Sequence, residues 1–293
     1  MKRPLANFLG LAPAYVIMLF LMIIPLFIVF YVSLMSSDPY GGFKPIFSLD
    51  SYIQIFFAED WDGVMQLDLQ YLWIIVRTLT LSTIAVVLCL LLSFPVAYYI
   101  SRQPNNRKAL WLFFVTLPFW VSMVVRVYAW IIILADDGVL ESGLRMTGLV
   151  GDIDSMLYTN GAMLVGMIYS YIPLMILPIY ASIEKLDGNL IEAANDLYAS
   201  RIKTLFTVIV PLCKPGMVAG AILVFVPCLG TILEPVLLGG GKKLMLGNLI
   251  YTQFTTARNW SFGSSLAIVL LCLVVLILLV NARRASQTQM GGA

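Results

Sequence analysis

The sequence of 293 residues contains no histidine. This absence excludes an imidazole general base, a Ser-His-Asp triad and a histidine-ligated metal. Cysteine is also scarce, and no two of the four form a Cys-x-x-Cys pair. They lie far apart and mostly within apolar runs, so we interpret them as small residues buried among helices and not as disulfides or metal ligands. These four are Cys89, Cys213, Cys228 and Cys272.

Charge is the second scarcity. Only 12% of the residues are charged, whereas 60% are hydrophobic. A soluble globular domain has about 25% charged residues and about half apolar ones. The apolar residues of this chain occur in long runs that fit a lipid environment. The composition therefore predicts an integral membrane protein. The net charge of +2 gives no information about nucleic-acid binding.

Six apolar runs are long enough to cross a bilayer core of roughly 30 Å. The first lacks a small-residue cleavage site and is long for a signal peptide, so we expect an anchor that is retained. We predict an all-α fold with six transmembrane helices in a single transmembrane domain, residues 1–293. The predicted spans are 9–34, 73–100, 110–135, 160–182, 212–236 and 262–281.

The basic residues set the orientation. One side of the predicted membrane collects 11 of the 18 basic residues with only four acids, and the positive-inside rule places this side in the cytoplasm. Both termini are therefore predicted to be cytoplasmic. The 11 residues are Lys2, Arg3, Arg102, Arg107, Lys108, Lys185, Arg201, Lys203, Lys214, Arg283 and Arg284.

The polar segment 183–211 differs from the other connections. Asp187-Gly188-Asn189 predicts a turn, and the following residues have the pattern of an amphipathic helix. Two alanines next to Glu192 would let such a helix pack closely against another surface. The alternative is an amphipathic helix that rests on lipid headgroups.

This segment, "EAANDLYASRIKTLFTVIVP", resembles the EAA loop of ABC-importer permeases, in which a glycine lies at the bend between two short helices that dock in a groove of the ATP-binding subunit. Tyr198 stands at the position of that glycine. Because a left-handed tyrosine would cost about 1–2 kcal/mol, we expect the bend to be reshaped. The resemblance implies a role in ATPase coupling for Glu192, Ala193, Ala194, Asp196, Tyr198, Arg201 and Pro211.

Further stretches, such as "LPFWVSMVVRVYAWIIIL" and "YIPLMILPIYASIEKLD", resemble the polyamine (spermidine/putrescine) branch of these permeases, and the likeness runs over roughly residues 10–280. It implies a type I ABC-importer permease fold with a cytoplasmic coupling helix, in a bacterial inner membrane. It also implies a second permease subunit, an extracytoplasmic solute-binding protein and a dimer of ATP-binding subunits that holds ATP and Mg. Polyamines or related organic cations are the expected solutes, with amino acids or betaines as the alternative.

Within the membrane, Arg126 is the clearest functional candidate. A charge at mid-span costs about 2.5–3.5 kcal/mol, so its side chain should face the bundle interior or a watery cavity. Since Arg126 cannot attract a cationic solute, we expect it to pair with an acid or a carbonyl as a structural or gating element. Direct contact with solute is the alternative. It is predicted to share a helical face with Phe119 and Trp130.

The same span carries Trp120, Tyr128 and Trp130. Aromatic residues in membrane helices commonly serve packing or form the interface belt. They could instead form a path for organic cations, because each ring face attracts an ammonium group by roughly 0.5–2 kcal/mol. Trp120, beside Pro118, is the best single candidate for such a path.

The fifth span, "FVPCLGTILEPVLLGGG", concentrates helix breakers around Glu234. Irregular backbone at membrane depth should line protein or a cavity. Glu234 is therefore predicted to meet a cationic solute or to pair with Arg126, and an ordinary carboxylate at the outer mouth is the alternative. The predicted translocation path comprises Trp120, Arg126, Tyr128, Trp130 and Glu234.

No catalytic residue and no metal site is predicted. The "GGGKK" run at 239–243 lacks the spacing of a phosphate-binding loop, so energy should come from a separate ATPase. An ion-coupled secondary transporter is a weaker alternative because Arg126 and Glu234 alone are a thin basis for an ion relay and no inverted repeat is visible. An intramembrane enzyme is disfavoured by the lack of histidine and of paired carboxylates in the spans.

Overall fold

The computed structural model describes residues 3–59, 65–146 and 155–290. Lys2 and the side chains of Arg3 and Arg284 lie outside this description. The described chain is mainly helical, with two short antiparallel hairpins, β1 (Met35–Ser37) with β2 (Phe43–Phe47) and β3 (Phe57–Glu59) with β4 (Met65–Leu67). The helices are α1 (Arg3–Ser33), α2 (Asp50–Ile53), α3 (Gln70–Ser101), α4 (Asn105–Trp120), α5 (Met123–Leu134), α6 (Val139–Met146), α7 (Asn160–Glu184), α8 (Gly188–Asp196), α9 (Arg201–Thr204), α10 (Val210–Leu229), α11 (Leu246–Thr255) and α12 (Trp260–Met290).

Five helical segments are long and apolar enough to span a membrane, and α4 with α5 makes a sixth when the bent pair counts as one span. The pair is bent by 88°, so the predicted span 110–135 is two helices instead of one. Val121 and Ser122 have extended backbone, which interrupts the helical hydrogen bonds at this point. Pro118 lacks an N–H and weakens the preceding turn.

The chain divides into two compact units, of which the first comprises residues 1–73 and 249–293. Helix α1 packs along α12 in this unit, and α2 packs against α12. The Ser33 and Tyr52 hydroxyls lie 2.8 Å apart. The Phe262 ring is buried and meets the Tyr71 ring edge to face at a centroid distance of 5.0 Å.

The second unit comprises residues 74–248, and its centre is the pair α7 and α10. Two glycines of α10, spaced as Gly-x-x-x-Gly, allow the helices to approach closely. A Cβ atom at Gly216 would lie 2.6 Å from the carbonyl oxygen of Pro178, and one at Gly220 would lie 2.7 Å from Met175 Sδ. Any side chain at either position would force the two helices apart.

The cysteines are all free thiols. Cys89, Cys213 and Cys228 are buried, in agreement with their interpretation as small packing residues. Cys272 is exposed on α12, so that interpretation does not apply to it.

A π-helical turn over Leu205–Ile209 joins α9 to α10. Its cause is Pro211, the second residue of α10, which has no N–H to donate and whose ring would collide with the carbonyl four residues earlier. The widened turn accommodates the ring and lets the helix continue, so that residues 201–229 form one span of 29 residues.

Candidate functional site

Glu234 is the first residue of a second π-helical turn, Glu234–Leu238, and its side chain is 0% exposed. One carboxylate oxygen, Oε2, accepts a hydrogen bond from the Thr231 hydroxyl. The other oxygen, Oε1, is buried and has no hydrogen-bond partner in the described part of the chain. This burial disfavours the alternative prediction, an ordinary carboxylate at the outer mouth. A buried carboxylate oxygen without a donor is costly, so Oε1 has unused capacity to bind one.

Gly166 of α7 makes room for Glu234. A Cβ atom at residue 166 would lie 3.2 Å from Glu234 Cγ and 2.4 Å from Leu238 Cδ1. The π-helical turn thus rests directly on the backbone of α7. A single glycine inside an apolar run is the sequence signal of such a close approach.

Arg126 lies on α5 and is 9% exposed. Within the described residues, no ion pair joins it to an acid, and its Nε and Nη1 atoms are buried without hydrogen-bond partners. The predicted pairing of Arg126 with an acid or a carbonyl is therefore not present at these atoms. Its guanidinium carbon lies over the Phe119 ring, 6.0 Å from the ring centroid. This contact crosses the bend between α4 and α5.

Tyr171 of α7 brings these groups together. Its hydroxyl interacts with Thr231, and the ring lies close enough to Glu234 and Arg126 to interact with their charges. Helices α5 and α7 and the second π-helical turn pack against one another, which explains the convergence. We call Arg126, Tyr171, Thr231 and Glu234 the buried polar cluster. Sequence reasoning missed Tyr171 and Thr231, although Thr231 stands three residues before the glutamate.

The predicted aromatic path separates into two groups. Trp130 packs edge to face on Tyr169 at a centroid distance of 5.7 Å, which is a packing contact between α5 and α7. Trp120, at the bend, is 81% exposed, and Tyr128 is also exposed. The structure brings Arg126 and Glu234 into one cluster but places Trp120 and Tyr128 on the chain surface.

The second candidate site is the α8–α9 segment, residues 187–204. Asp187 caps α8, because its carboxylate accepts the backbone N–H of Asn189 at 3.0 Å. Of the paired alanines, Ala194 is buried within the chain and only Ala193 is exposed for another surface. The remaining predicted coupling residues, Glu192, Asp196, Tyr198, Arg201 and Pro211, are all exposed.

Tyr198 adopts the left-handed conformation, with φ 54°. Its N–H donates to the carbonyl of Asn195 at 2.9 Å, and the N–H of Ala199 donates to the carbonyl of Ala194 at 3.0 Å. These two bonds define a Schellman motif with tyrosine at the position that glycine usually occupies. The expectation of a reshaped bend is therefore wrong, since the bend keeps its usual geometry at a cost of about 1–2 kcal/mol.

An ion pair lies where α7 ends, close to the α8–α9 segment. The Lys108 ammonium of α4 donates to both carboxylate oxygens of Glu184, at 2.8 and 3.1 Å. Glu184 is the last residue of α7 and is followed by α8 after three residues. The pair ties the start of α4 to the end of α7.

Solved structures of bacterial alginate ABC transporters share this fold. One, from a transporter that imports the acidic polysaccharide alginate, matches with a TM-score of 0.77 at 17% identity and covers 98% of this chain and 96% of that chain. A second, in complex with an alginate pentasaccharide-bound periplasmic protein, matches with a TM-score of 0.73 at 18% identity over 95% and 93% of the two chains. The fold class is that of a type I ABC-importer permease.

The family model for the inner membrane component of binding-protein-dependent transport systems matches residues 90–288, and the chain belongs to this family. The chain is 35% identical to the spermidine/putrescine transport system permease protein PotB of Escherichia coli (strain K12), over 86% of this chain and 87% of that protein. It is 36% identical to the PotB protein of Haemophilus influenzae, over 91% and 89%. It is also 34% identical to the inner membrane ABC transporter permease protein YdcU of Escherichia coli (strain K12), over 70% and 69%.

These findings establish the chain as a multi-pass inner-membrane permease subunit of an importer. The family match includes both the buried polar cluster and the α8–α9 segment.

Proposed function

We propose that the chain moves polyamines or related small organic cations from the periplasmic side into the cytoplasm. The observation that carries the proposed solute class is the similarity to spermidine/putrescine permeases along 86% of the chain. The proposed topology has both termini in the cytoplasm, as the distribution of basic residues predicts.

Glu234 supports a cationic solute. Its Oε1 atom is buried and lacks a donor among the described residues, and a protonated amine would supply one. At a separation of 4 Å and an effective dielectric constant near 20, two opposite unit charges attract by about 4 kcal/mol. Arg126 would then repel the amine, so we propose that Arg126 promotes release of the solute and does not bind it. Trp120 and Tyr128, exposed in this chain, would complete an aromatic path at the junction with the second permease.

The energy source in this proposal is a dimer of ATP-binding subunits, which hold ATP and Mg and dock against the α8–α9 segment. Helix α7 supports a mechanical link, because Tyr171 of the buried polar cluster lies on it and α8 follows its last residue closely. Closure of the ATPase dimer would move the α8–α9 segment and tilt α7. The tilt would switch access to Glu234 from one side of the membrane to the other.

The proposed assembly also contains a second permease subunit and an extracytoplasmic solute-binding protein. Its support is the family, whose description names binding-protein dependence, and the alginate transporter of the same fold that was solved with a periplasmic protein bound.

The test is uptake of radiolabelled spermidine and putrescine into proteoliposomes that contain the full complex, with ATP on the side of the ATP-binding subunits. We expect uptake that stops when either ATP or those subunits are left out. Uptake without any ATPase would contradict the proposal, and uptake of neutral solutes only would contradict the solute class.

The matched variant for coupling is Glu192→Lys on the exposed face of α8. Reversal of this charge should leave the chain inserted while ATP hydrolysis no longer drives uptake. Unchanged uptake would contradict the docking assignment.

A further inference from the structure

The left-handed tyrosine at residue 198 is the feature that the fold alone does not explain. Its side chain is 98% exposed, so it makes almost no contact within the chain. Its backbone nevertheless adopts a conformation that L-residues with a Cβ atom avoid and that glycine adopts freely. The Schellman hydrogen bonds hold this backbone, but the tyrosine side chain adds almost no packing within the chain that would offset the strain.

We propose that the Tyr198 side chain inserts into an apolar recess of the ATP-binding subunit and contributes to the choice of that subunit. This inference rests on the proposed function, in which that subunit docks at the α8–α9 segment. The Schellman motif fixes the backbone on both sides of Tyr198, so the ring projects from a rigid bend. Tyrosine suits such insertion because it has a large apolar body, a polar tip and only two side-chain torsions to order.

Neighbouring residues show that the surface around Tyr198 is apolar as well. Leu197 is 81% exposed and Ile202 is 71% exposed. An exposed apolar patch of this kind, rimmed by polar side chains, marks a surface that another molecule covers. The rim includes Asp196 and Arg201, which are both exposed.

Charge favours a protein over the membrane surface as the occupant. Helices that lie on anionic headgroups carry lysine and arginine on their polar face. Helix α8 has the sequence GNLIEAAND, with Glu192 and Asp196 and no basic residue, and over residues 187–204 three acids outnumber the two basic residues of α9. Its carboxylates would be repelled by anionic lipid, whereas a protein groove with basic residues would attract them.

The experiment compares the full chain with its Tyr198→Gly and Tyr198→Phe variants, each bound to the purified ATP-binding subunit in detergent. For Tyr198→Gly we expect the Kd to rise about tenfold, while the folded-to-unfolded ratio of the permease rises about fivefold because the backbone strain is released. Tyr198→Phe keeps the ring and should keep most of the affinity. A stability gain combined with an affinity loss is a result that a purely structural residue cannot give.

Tyr158 provides the matched control. It is a second left-handed tyrosine, with φ 63°, and it precedes α7, whereas Tyr198 follows it, so the two lie at opposite ends of that span. Tyr158→Gly should leave the affinity for the ATP-binding subunit unchanged.

Two other outcomes have distinct meanings. If Tyr198→Gly binds the ATP-binding subunit as tightly as the unchanged chain does, the inference about Tyr198 is wrong and the proposed function stands. If the unchanged chain itself does not bind that subunit, the proposed function fails together with the inference.

Discussion

The buried polar cluster and the α8–α9 segment are both energetically unfavourable, but in opposite surroundings. The cluster keeps Glu234 and Arg126 out of water without an ion pair between them among the described residues. The segment keeps a strained Tyr198 fully in water. In the cluster, buried polar atoms lack hydrogen-bond partners among the described residues. In the segment, an exposed aromatic ring has no surface of its own chain to pack against.

This contrast indicates where each site finds its compensation. We propose that a donor small enough to enter the membrane part of the chain, a solute amine, satisfies the buried carboxylate oxygen. For the exposed apolar bend we propose a large covering surface, that of another protein. The predictions below test this division, from the largest expected effect to the smallest.

Gly166→Leu should have the largest effect. The added side chain would collide with Leu238 and Glu234, since even a Cβ atom lies 2.4 Å from Leu238 Cδ1. Overpacking of this kind costs about 3 kcal/mol or more, and we expect loss of folded protein and of uptake together. Thermal unfolding in detergent is the measurement. Gly161→Ala is the control on the same helix, because its Cβ would meet only Thr159 Oγ1 at 3.6 Å; equal damage from both variants would contradict the close contact at residue 166.

Glu234→Gln should separate charge from shape. Glutamine keeps the size of the side chain and can still accept a hydrogen bond from Thr231, but it removes the negative charge. We expect spermidine uptake to fall about 100-fold, equivalent to about 2.8 kcal/mol, with little change in thermal stability. A neutral solute carried by the same complex should be affected far less. An equal loss for charged and neutral solutes would assign Glu234 to structure.

Arg126→Met should change stability and uptake in opposite directions. Removing a buried charge whose Nε and Nη1 atoms lack partners should stabilise the chain by about 2 kcal/mol. Uptake should nevertheless fall, because the cluster would lose its cationic competitor for Glu234. Arg126→Lys is the matched control, since it keeps the charge and should keep more of the uptake. If the Arg126→Met variant is less stable than the unchanged chain, Arg126 has a structural partner.

The sequence singled out residues of both regions but did not predict the geometry that surrounds them. The charge scarcity singled out Arg126 and Glu234, and the resemblance to the EAA loop singled out Glu192 and Tyr198. Helical periodicity could not predict the 88° bend at Val121 and Ser122, because two extended residues inside an apolar run leave the hydropathy unchanged. For the same reason, it placed Trp120 and Arg126 on one continuous helix.

Conformation at single residues was also beyond the sequence. Because tyrosine disfavours the left-handed region, we expected a reshaped bend at Tyr198. The Schellman hydrogen bonds instead hold the usual geometry of the bend. Tyr171 and Thr231 joined the buried polar cluster through packing of α5, α7 and the second π-helical turn. Such long-range packing is not visible in local patterns.

The smallest effect concerns the connection between the two regions. The Lys108–Glu184 pair ties α4 to the end of α7, next to the α8–α9 segment; Lys108 is partly buried and Glu184 is exposed. A pair of this kind stabilises a protein by about 0–1 kcal/mol. Lys108→Glu and Glu184→Lys should each lower the unfolding temperature only slightly. Each should nevertheless reduce uptake per ATP hydrolysed several-fold. Like charges would push α4 away from the end of α7, through which we propose that motion of the α8–α9 segment reaches the membrane helices.

The double variant restores opposite charges in exchanged positions, and we expect it to recover most of the coupling. Recovery of stability without recovery of coupling would show that the pair only holds the two helices and that motion reaches the buried polar cluster along α7 alone.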